Sequence, residues 1–289
     1  MKRIIDLEII ILNYNGKFWL EKLLSSLKIN YLNKSQFKIT VTVVDNCSSD
    51  DSVLFLKSLD WVKIIESDRN GGFAYGNNLA ISVSEAKYVM LLNSDTEIPG
   101  SEGNLDILID YMDIHEKAAV ITPKIILTNG DLDKACHRGE PTPWVAFCHF
   151  SRLGNLFSKS TFFARYHQSY KNLNLIHEID ACTGASMLIR RSAIGKTGLL
   201  DERFFMYAED LDWCRRFREN GFEIIFNPKV TVIHHKYKSG IQSTDNNTEK
   251  VTRKWFYETM LQYYDKHYAS KSNRLFRLIL KIYLNKKIS

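Results

Sequence analysis

No apolar run in the chain approaches the ~20 residues needed to cross a bilayer, and Met1 to Asp6 lacks the apolar centre of a signal peptide. The expectation is therefore a cytosolic protein. Cysteine is sparse: five residues, odd in number, scattered, none in a C-x-x-C pair. That argues against a disulfide framework, and Cys136-His137 and Cys148-His149 lack zinc-knuckle spacing. There is no G-x-G-x-x-G fingerprint with a correctly spaced acidic residue, which disfavours a nicotinamide-binding fold. Internal repeats and low-complexity linkers are missing too.

What is there suits an ordinary globular chain. Of 289 residues, 45% are hydrophobic and 25% charged, enough for a sizeable core. Thirty-nine Lys and Arg against 33 Asp and Glu give a formal charge of +6. An excess this mild suits an anionic small molecule or a membrane surface as well as nucleic acid, so its location matters more than its size.

The first 122 residues alternate strand and helix signals. Apolar runs at Leu7 to Leu12, Thr40 to Val44, Val62 to Ile65, Tyr88 to Leu92 and Ala118 to Thr122 predict strands. Helical spacing at Phe18 to Leu27, Tyr75 to Ser84 and Leu105 to Glu116 predicts helices between them, with Ser49, Asp50 and Asp51 as candidate N-caps. Strands apolar throughout and separated by helices imply an α/β fold: a mostly parallel central sheet with helices on both faces. Lys124 to Ile179 is less legible, apart from a hairpin turn at Asn129-Gly130. Beyond it, Ala185 to Ile189, Phe222 to Phe226 and Val230 to Ile233 predict strands, and Glu209 to Asn220 a helix closed by Gly221.

Ligands of such sheets bind beyond the carboxyl ends of the strands. Asn13, Asn15, Asp45, Asn70 and Asp95 all fall at that rim. "NGGFAYGNN" sets two glycines, Gly71 and Gly72, beside a helix start, where free N–H groups favour an anion. In "LLNSDTEI" an apolar strand delivers Asp95 into solvent beside Ser94, as for a divalent cation on a diphosphate; an aspartate opening a loop would look the same. Glu209 and Asp210 open an amphipathic helix, where carboxylates are good caps, yet two adjacent ones also suit a proton-accepting role. Trp213, Cys214 and Phe217 share the face expected to pack, leaving Arg215, Arg216 and Arg218 to solvent.

In order along the chain stand "ILNYNG", "VVDNCSSDDS", "NGGFAYGNN", "LLNSDTEI", "GASMLIRR", "GLLDERFFMYAEDLDWCRR" and "VIHH". This set, over about residues 5 to 235, resembles the family-2 glycosyltransferases of the glycosyltransferase A fold, and most of all their rhamnosyltransferase branch. The resemblance implies an inverting, metal-dependent transfer from a nucleotide-diphospho-sugar such as dTDP-rhamnose to a cell-surface or lipid-linked glycan. It places Asn13, Tyr14, Asn15 and Asp45 around the nucleoside, with Asn77 and Asn78 fixing the glycine loop. It places Asp95 on the last carboxylate of the family's Asp-x-Asp motif for Mg²⁺ or Mn²⁺, with Asn93 replacing the first. Asp210 falls on the catalytic base, and His234, or His235 in the other register, on a metal or diphosphate ligand.

The expected division is a catalytic domain over 1–235 and a helical extension over 236–289. "KWFYETMLQYYDKHY" reads as packed helix. In 272–289, Arg274, Arg277 and Lys281 lie opposite Leu275, Leu278, Ile279 and Ile282, a pattern that suits either an anionic membrane at the inner face of the cell or docking on the chain itself or a homodimer partner. A nucleic-acid partner is not expected. The competing readings are a nucleotidyltransferase, disfavoured because "ILNYNG" lacks a basic residue, and a non-catalytic nucleotide- or glycan-binding module.

Overall fold

The computed structural model describes residues 5–236, 246–269, 277, 278 and 280–282. Strand β1 (Leu7–Asn13) is buried along nearly its whole length, as a strand is in mid-sheet with both faces covered. Its side chains alternate: Leu7, Ile9 and Ile11 join one core and Ile10 the other. β2 (Ile39–Asp45) pairs parallel with one edge of β1 and β4 (Tyr88–Asn93) with the other, while β3 (Val62–Glu66) extends the sheet beyond β2. The crossovers are α1 (Lys17–Leu27), α2 (Ser52–Lys57) and α3 (Gly72–Ile81). Parallel neighbours require such crossovers, and the expected alternation is present.

Beyond β4 come β5 (Thr96–Glu97), α4 (Asp106–Ile114) and β6 (Ala118–Leu127). The less legible stretch resolves into a tight turn at Asn129-Gly130, where Gly130 has φ +85°, then α5 (Pro143–Phe150), α6 (Leu153–Leu156) and β7 (His177–Ile179). β8 (Ser186–Arg190), α7 (Arg191–Thr197), α8 (Glu209–Glu219), β9 (Glu223–His234) and α9 (Asn246–His267) follow. The sheet order is β3-β2-β1-β4-β8-β6-β9-β5, with β7 paired on β9.

Two strand expectations need refining. The Ala118 to Thr122 strand forms as the start of β6, with β8 inserted antiparallel between it and β4. Phe222 to Phe226 and Val230 to Ile233 are one strand, β9, interrupted in its pairing with β6 where Asn227 is followed by Thr231 in the register. Pro228 has no N–H for the ladder, so the chain bulges there instead of turning.

A correction concerns α8. Trp213, Cys214 and Phe217 are fully buried as expected, but the three arginines are not left to water. Arg215 Nη1 and Arg218 Nη1 reach the two carboxylate oxygens of Glu140 at 2.7 and 2.9 Å, and Arg216 Nε binds the buried Asp212 at 2.8 Å. Asp212 is the i−4 neighbour of Arg216 on the same helix, but Glu140 comes from outside α8, where a helix-face argument cannot see it.

Asp212 also anchors α9. Lys266 Nζ and His267 Nε2 lie 2.5 and 2.8 Å from its Oδ1, and Trp255 packs on Phe205 with ring centroids 4.7 Å apart. Among the described residues no helix is long and apolar enough to cross a membrane. Of the basic stretch 272–289, Arg277 is ion-paired with Asp265 of α9 at 2.6 Å, and Leu278 and Ile282 are exposed. Arg274, Leu275 and Ile279 lie outside the described residues.

Candidate active site

Strand register builds the site. Asn13 stands opposite Asp45, Leu12 opposite Asn93, and Thr96 opposite His234, so the polar residues ending four strands share one rim. At its first corner Asn13 Nδ2 donates to Asp45 Oδ1 at 3.1 Å, and the Ser48 amide donates to Asp45 Oδ2 at 2.8 Å. Asn15 is drawn into the same loop: its amide donates to Ser48 Oγ at 2.9 Å and its Oδ1 accepts from the Ser49 amide at 2.7 Å. Tyr14 stands beside them with half its surface exposed. This interlinked pair of loops keeps Asp45 buried and oriented.

The glycine loop is tied to that corner through Asn46 and Asn70. The Gly71 amide donates to Asn46 Oδ1 at 3.2 Å and the Gly72 amide to Asn70 Oδ1 at 3.1 Å. Gly72 has φ +85°, and a Cβ there would meet the Phe205 carbonyl at 2.2 Å, so no other residue fits. Asn77 and Asn78 are turned into the fold. Asn77 Nδ2 donates to the Phe73 carbonyl at 2.9 Å, while Asn78 grips Leu200 and Glu202 with its amide. Asn77 thus bonds back within its own helix, and Asn78 ties that helix to the loop before α8.

The next corner joins Asp95 to His234. Pairing of β5 with β9 sets His234 Nε2 3.3 Å from Asp95 Oδ1, while its Nδ1 meets Asp133 Oδ2 at 2.9 Å. Burial opposes charge on His234, but its hydrogen bonds to Asp133 and Asp95 outweigh this and push the imidazole up to about 9. Asp133 is also met by Lys236 Nζ at 2.9 Å; burial alone would raise its carboxyl, yet His234 and Lys236 hold it well below the usual range. His235 points elsewhere, with Nε2 2.9 Å from Glu97 Oε2 and its ring on Trp19. Strand pairing turns His234, not His235, toward Asp95. Asp95 offers a carboxylate to a hard divalent cation, and His234 could join it through Nε2 once that nitrogen gives up its proton, with Asp133 holding Nδ1. Among the described residues no group of three or more His, Cys, Asp or Glu is placed to hold a metal ion.

Glu209 and Asp210 come from the start of α8, entered through Tyr207 and Ala208, both left-handed at φ +71° and +65°. Non-glycine residues held there store strain of ~1–3 kcal/mol each, a cost concentrated at functional turns. Arg138 Nη2 donates to Asp210 Oδ2 at 2.6 Å, and the Leu211 amide donates to Asp210 Oδ1 at 2.7 Å. Arg138 is itself buried and held by the Cys182 carbonyl at 2.7 Å. Glu209 is different. Burial and the neighbouring Asp210 charge push its carboxyl up to about 8, and its Oε2 is buried without a partner. Burial and the like charge beside it thus favour the protonated form of Glu209.

A cavity of about 670 Å³ brings these groups together: Asn93, Asp95, Glu209, Asp210 and His234 all line it, with Asp133, Arg138 and Lys236. Its apolar lining includes Phe147 and Phe150 of α5 and Phe256, Met260 and Tyr263 of α9. Asn13, Tyr14, Asn15, Asp45, Gly71, Gly72 and Ser94 are not in that wall; Asn15 borders a separate depression of about 390 Å³ with Asp50 and Trp19. Asp133, Arg138 and Lys236 were not anticipated from the sequence. The one available signal was a run of charged residues, "GDLDKACHRGE", directly after the Asn129-Gly130 turn.

The model of glycosyl transferase family 2 matches residues 8–198. The chain belongs to that family and is a glycosyltransferase. It is 29% identical over 237 residues to the low-salt glycan biosynthesis hexosyltransferase Agl10 of Haloferax volcanii, covering 80% of this chain and 67% of that protein. It is 25% identical over 245 residues to the N-acetylglucosaminyl-diphospho-decaprenol L-rhamnosyltransferase of Mycobacterium tuberculosis, covering 81% and 77%. The fold resembles a crystal structure of GalNAc-T7 with UDP, GalNAc and Mn²⁺, with a TM-score of 0.59 at 14% identity over 99% of this chain. The chain spans 55% of that protein's length, and the likeness is one of fold.

Proposed function

We propose that this glycosyltransferase moves a sugar, rhamnose being the first candidate, from a nucleotide-diphospho-sugar to a hydroxyl of a lipid-linked glycan, with inversion. One observation carries the reading: the Asp95–His234 pair and the Glu209–Asp210 pair line the same cavity. The donor's nucleoside would lie against Asn13, Tyr14, Asn15 and Asp45, its diphosphate near Gly71, Gly72, Asn93 and Ser94. Asp95 and His234 would hold Mg²⁺ or Mn²⁺, which when bound offsets the charge developing on the leaving nucleoside diphosphate. The Mn²⁺ and UDP in the GalNAc-T7 crystal structure support this assignment by analogy of fold.

Asp210 would take the proton of the acceptor hydroxyl as its oxygen attacks the anomeric carbon and the bond to the diphosphate breaks. A positioned base of this kind contributes ~10²–10⁴-fold. Arg138 holds and aims the Asp210 carboxylate; Glu209, its carboxyl pushed up by burial and by Asp210, is placed to donate a hydrogen bond to the acceptor. One carboxylate acting once implies a single displacement, hence inversion. Residues 1–235 form the catalytic domain in this reading, and 236–289 an extension closing the acceptor side at the inner membrane face. The decaprenol-linked acceptor in the relative's name supports a lipid-linked acceptor here.

The test is a panel of dTDP-, UDP- and GDP-sugars with Mg²⁺ or Mn²⁺, following nucleoside diphosphate release, with the product's anomeric configuration read by NMR. Pyrophosphate release would instead indicate a nucleotidyltransferase. Tight sugar-nucleotide binding with no turnover on any acceptor would indicate a binding module.

A further inference from the structure

Residues 141–177 contain no Asp or Glu, yet include Arg152, Lys159, Arg165 and Lys171. The same segment displays Trp144, Phe147, Phe150, Leu156, Phe157 and Phe162, all between 39% and 74% exposed. These side chains are ordered against one another, not loose. Trp144 lies 5.7 Å from Phe147 and 5.0 Å from Phe162 by ring centroids, and its Nε1–H donates to the Phe162 carbonyl at 3.3 Å. Phe157 packs on Phe163 at 5.0 Å. A buttressed aromatic cluster facing water marks a surface that something apolar covers.

We propose that the α5–α6 surface seats the protein on an anionic phospholipid bilayer. The absence of any acidic side chain over this segment, with exposed Arg152, Lys159 and Arg165, gives it the charge that complements an anionic leaflet. α5 and α6 have eight and four residues, so they lie in the interface and do not span it. Aromatic rings beside cations are the composition found at headgroup depth. Pro143, Ala146, Phe147 and Phe150 also line the cavity that holds Asp210, so α5 contributes to both the aromatic surface and the cavity wall. Resting on the lipid-linked acceptor proposed above, this places the acceptor's lipid at α5–α6 and its hydroxyl at the carboxylates. The seat differs from the basic stretch 272–289, where Arg277 is already spent on Asp265.

The experiment is flotation of the full chain with vesicles of phosphatidylcholine, with and without phosphatidylglycerol, in the absence of any substrate. The intact protein should float with the anionic vesicles and be released by salt. Phe157→Ser with Phe162→Ser, or Arg152→Glu with Lys159→Glu, should each weaken partitioning by about tenfold or more, since near-surface charges and buried apolar groups act together. The charge pair serves if the aromatic pair misfolds. Nucleoside diphosphate release with a short soluble acceptor should be unchanged in the charge pair. Equal partitioning of both variants and the intact chain overturns the proposal, as does loss of binding in Lys286→Glu with Lys287→Glu alone. Self-association abolished by the aromatic pair without vesicle binding overturns it too. Because flotation needs no turnover, its failure is distinct from failure of the glycosyl-transfer reading.

Discussion

Arg138 and Asp210, 72 positions apart, form a buried ion pair of 2.6 Å that fixes the carboxylate at the opening of α8. Removing one partner of such a pair leaves the other charged and without water, typically costing ~3–5 kcal/mol. Arg138→Met should therefore lower stability in urea denaturation by about that order. Arg138→Met with Asp210→Asn should recover much of the loss. A single variant as stable as the parent would show the pair to be solvated.

Asp210→Asn should leave donor affinity, measured by calorimetry, close to that of the parent while cutting kcat by ~10²-fold or more, as for loss of a general base. Glu209→Gln keeps a hydrogen-bond donor and should be milder. A dead Glu209→Gln beside an active Asp210→Asn reverses the two roles.

Glu209 makes stability depend on pH in a stated direction. Its carboxyl is raised from 4.5 to about 8 in the fold by burial and by Asp210, so the folded state keeps a proton that the unfolded chain loses first. The stabilisation is complete below the unfolded value and is lost as pH rises toward about 8. Between those limits the parent should lose stability relative to Glu209→Gln, which carries no proton to lose. Parallel curves for both proteins across this window would place the proton elsewhere.

Asp95→Ala should abolish transfer and the Mn²⁺-dependent part of donor binding while the melting temperature stays near that of the parent, because Asp95 sits at a rim and not in the core. Activity of the variant that persists in excess EDTA would remove the cation from this site.

Gly72→Ala should fail for steric reasons. Its φ of +85° and the Phe205 carbonyl 2.2 Å from a Cβ force the loop off the Phe205 strand-like contact, where the Phe73 amide now donates to Phe205 at 2.9 Å. A loss of ~1–3 kcal/mol is expected, with weakened donor binding, measured together by melting and calorimetry. Gly130→Ala, also at φ +85° but with open space around it, separates backbone strain from the clash.

Much of this molecule was legible in one dimension. The apolar runs of β1 to β4, the helices between them and the polar residues at their carboxyl ends could be read locally, since burial on both faces and the parallel crossover leave marks within a few residues of each strand. Gly221 ended α8 and Asn129-Gly130 made a turn for equally local reasons, both glycines lying near φ +80°. Tertiary structure decided what local pattern cannot carry. It inserted β8 between β4 and β6, and joined two apolar runs into β9 across Pro228. It turned His234, not His235, toward Asp95 by pairing Thr96 with His234, and set Asp133 on that ring from 101 positions away. It found the partner of Arg215 and Arg218 in Glu140, 75 and 78 positions away. Such charged pairs join segments whose separation along the chain leaves no period or spacing to read; they form because a buried charge must be met, and which residue meets it depends on how the sheet and helices pack.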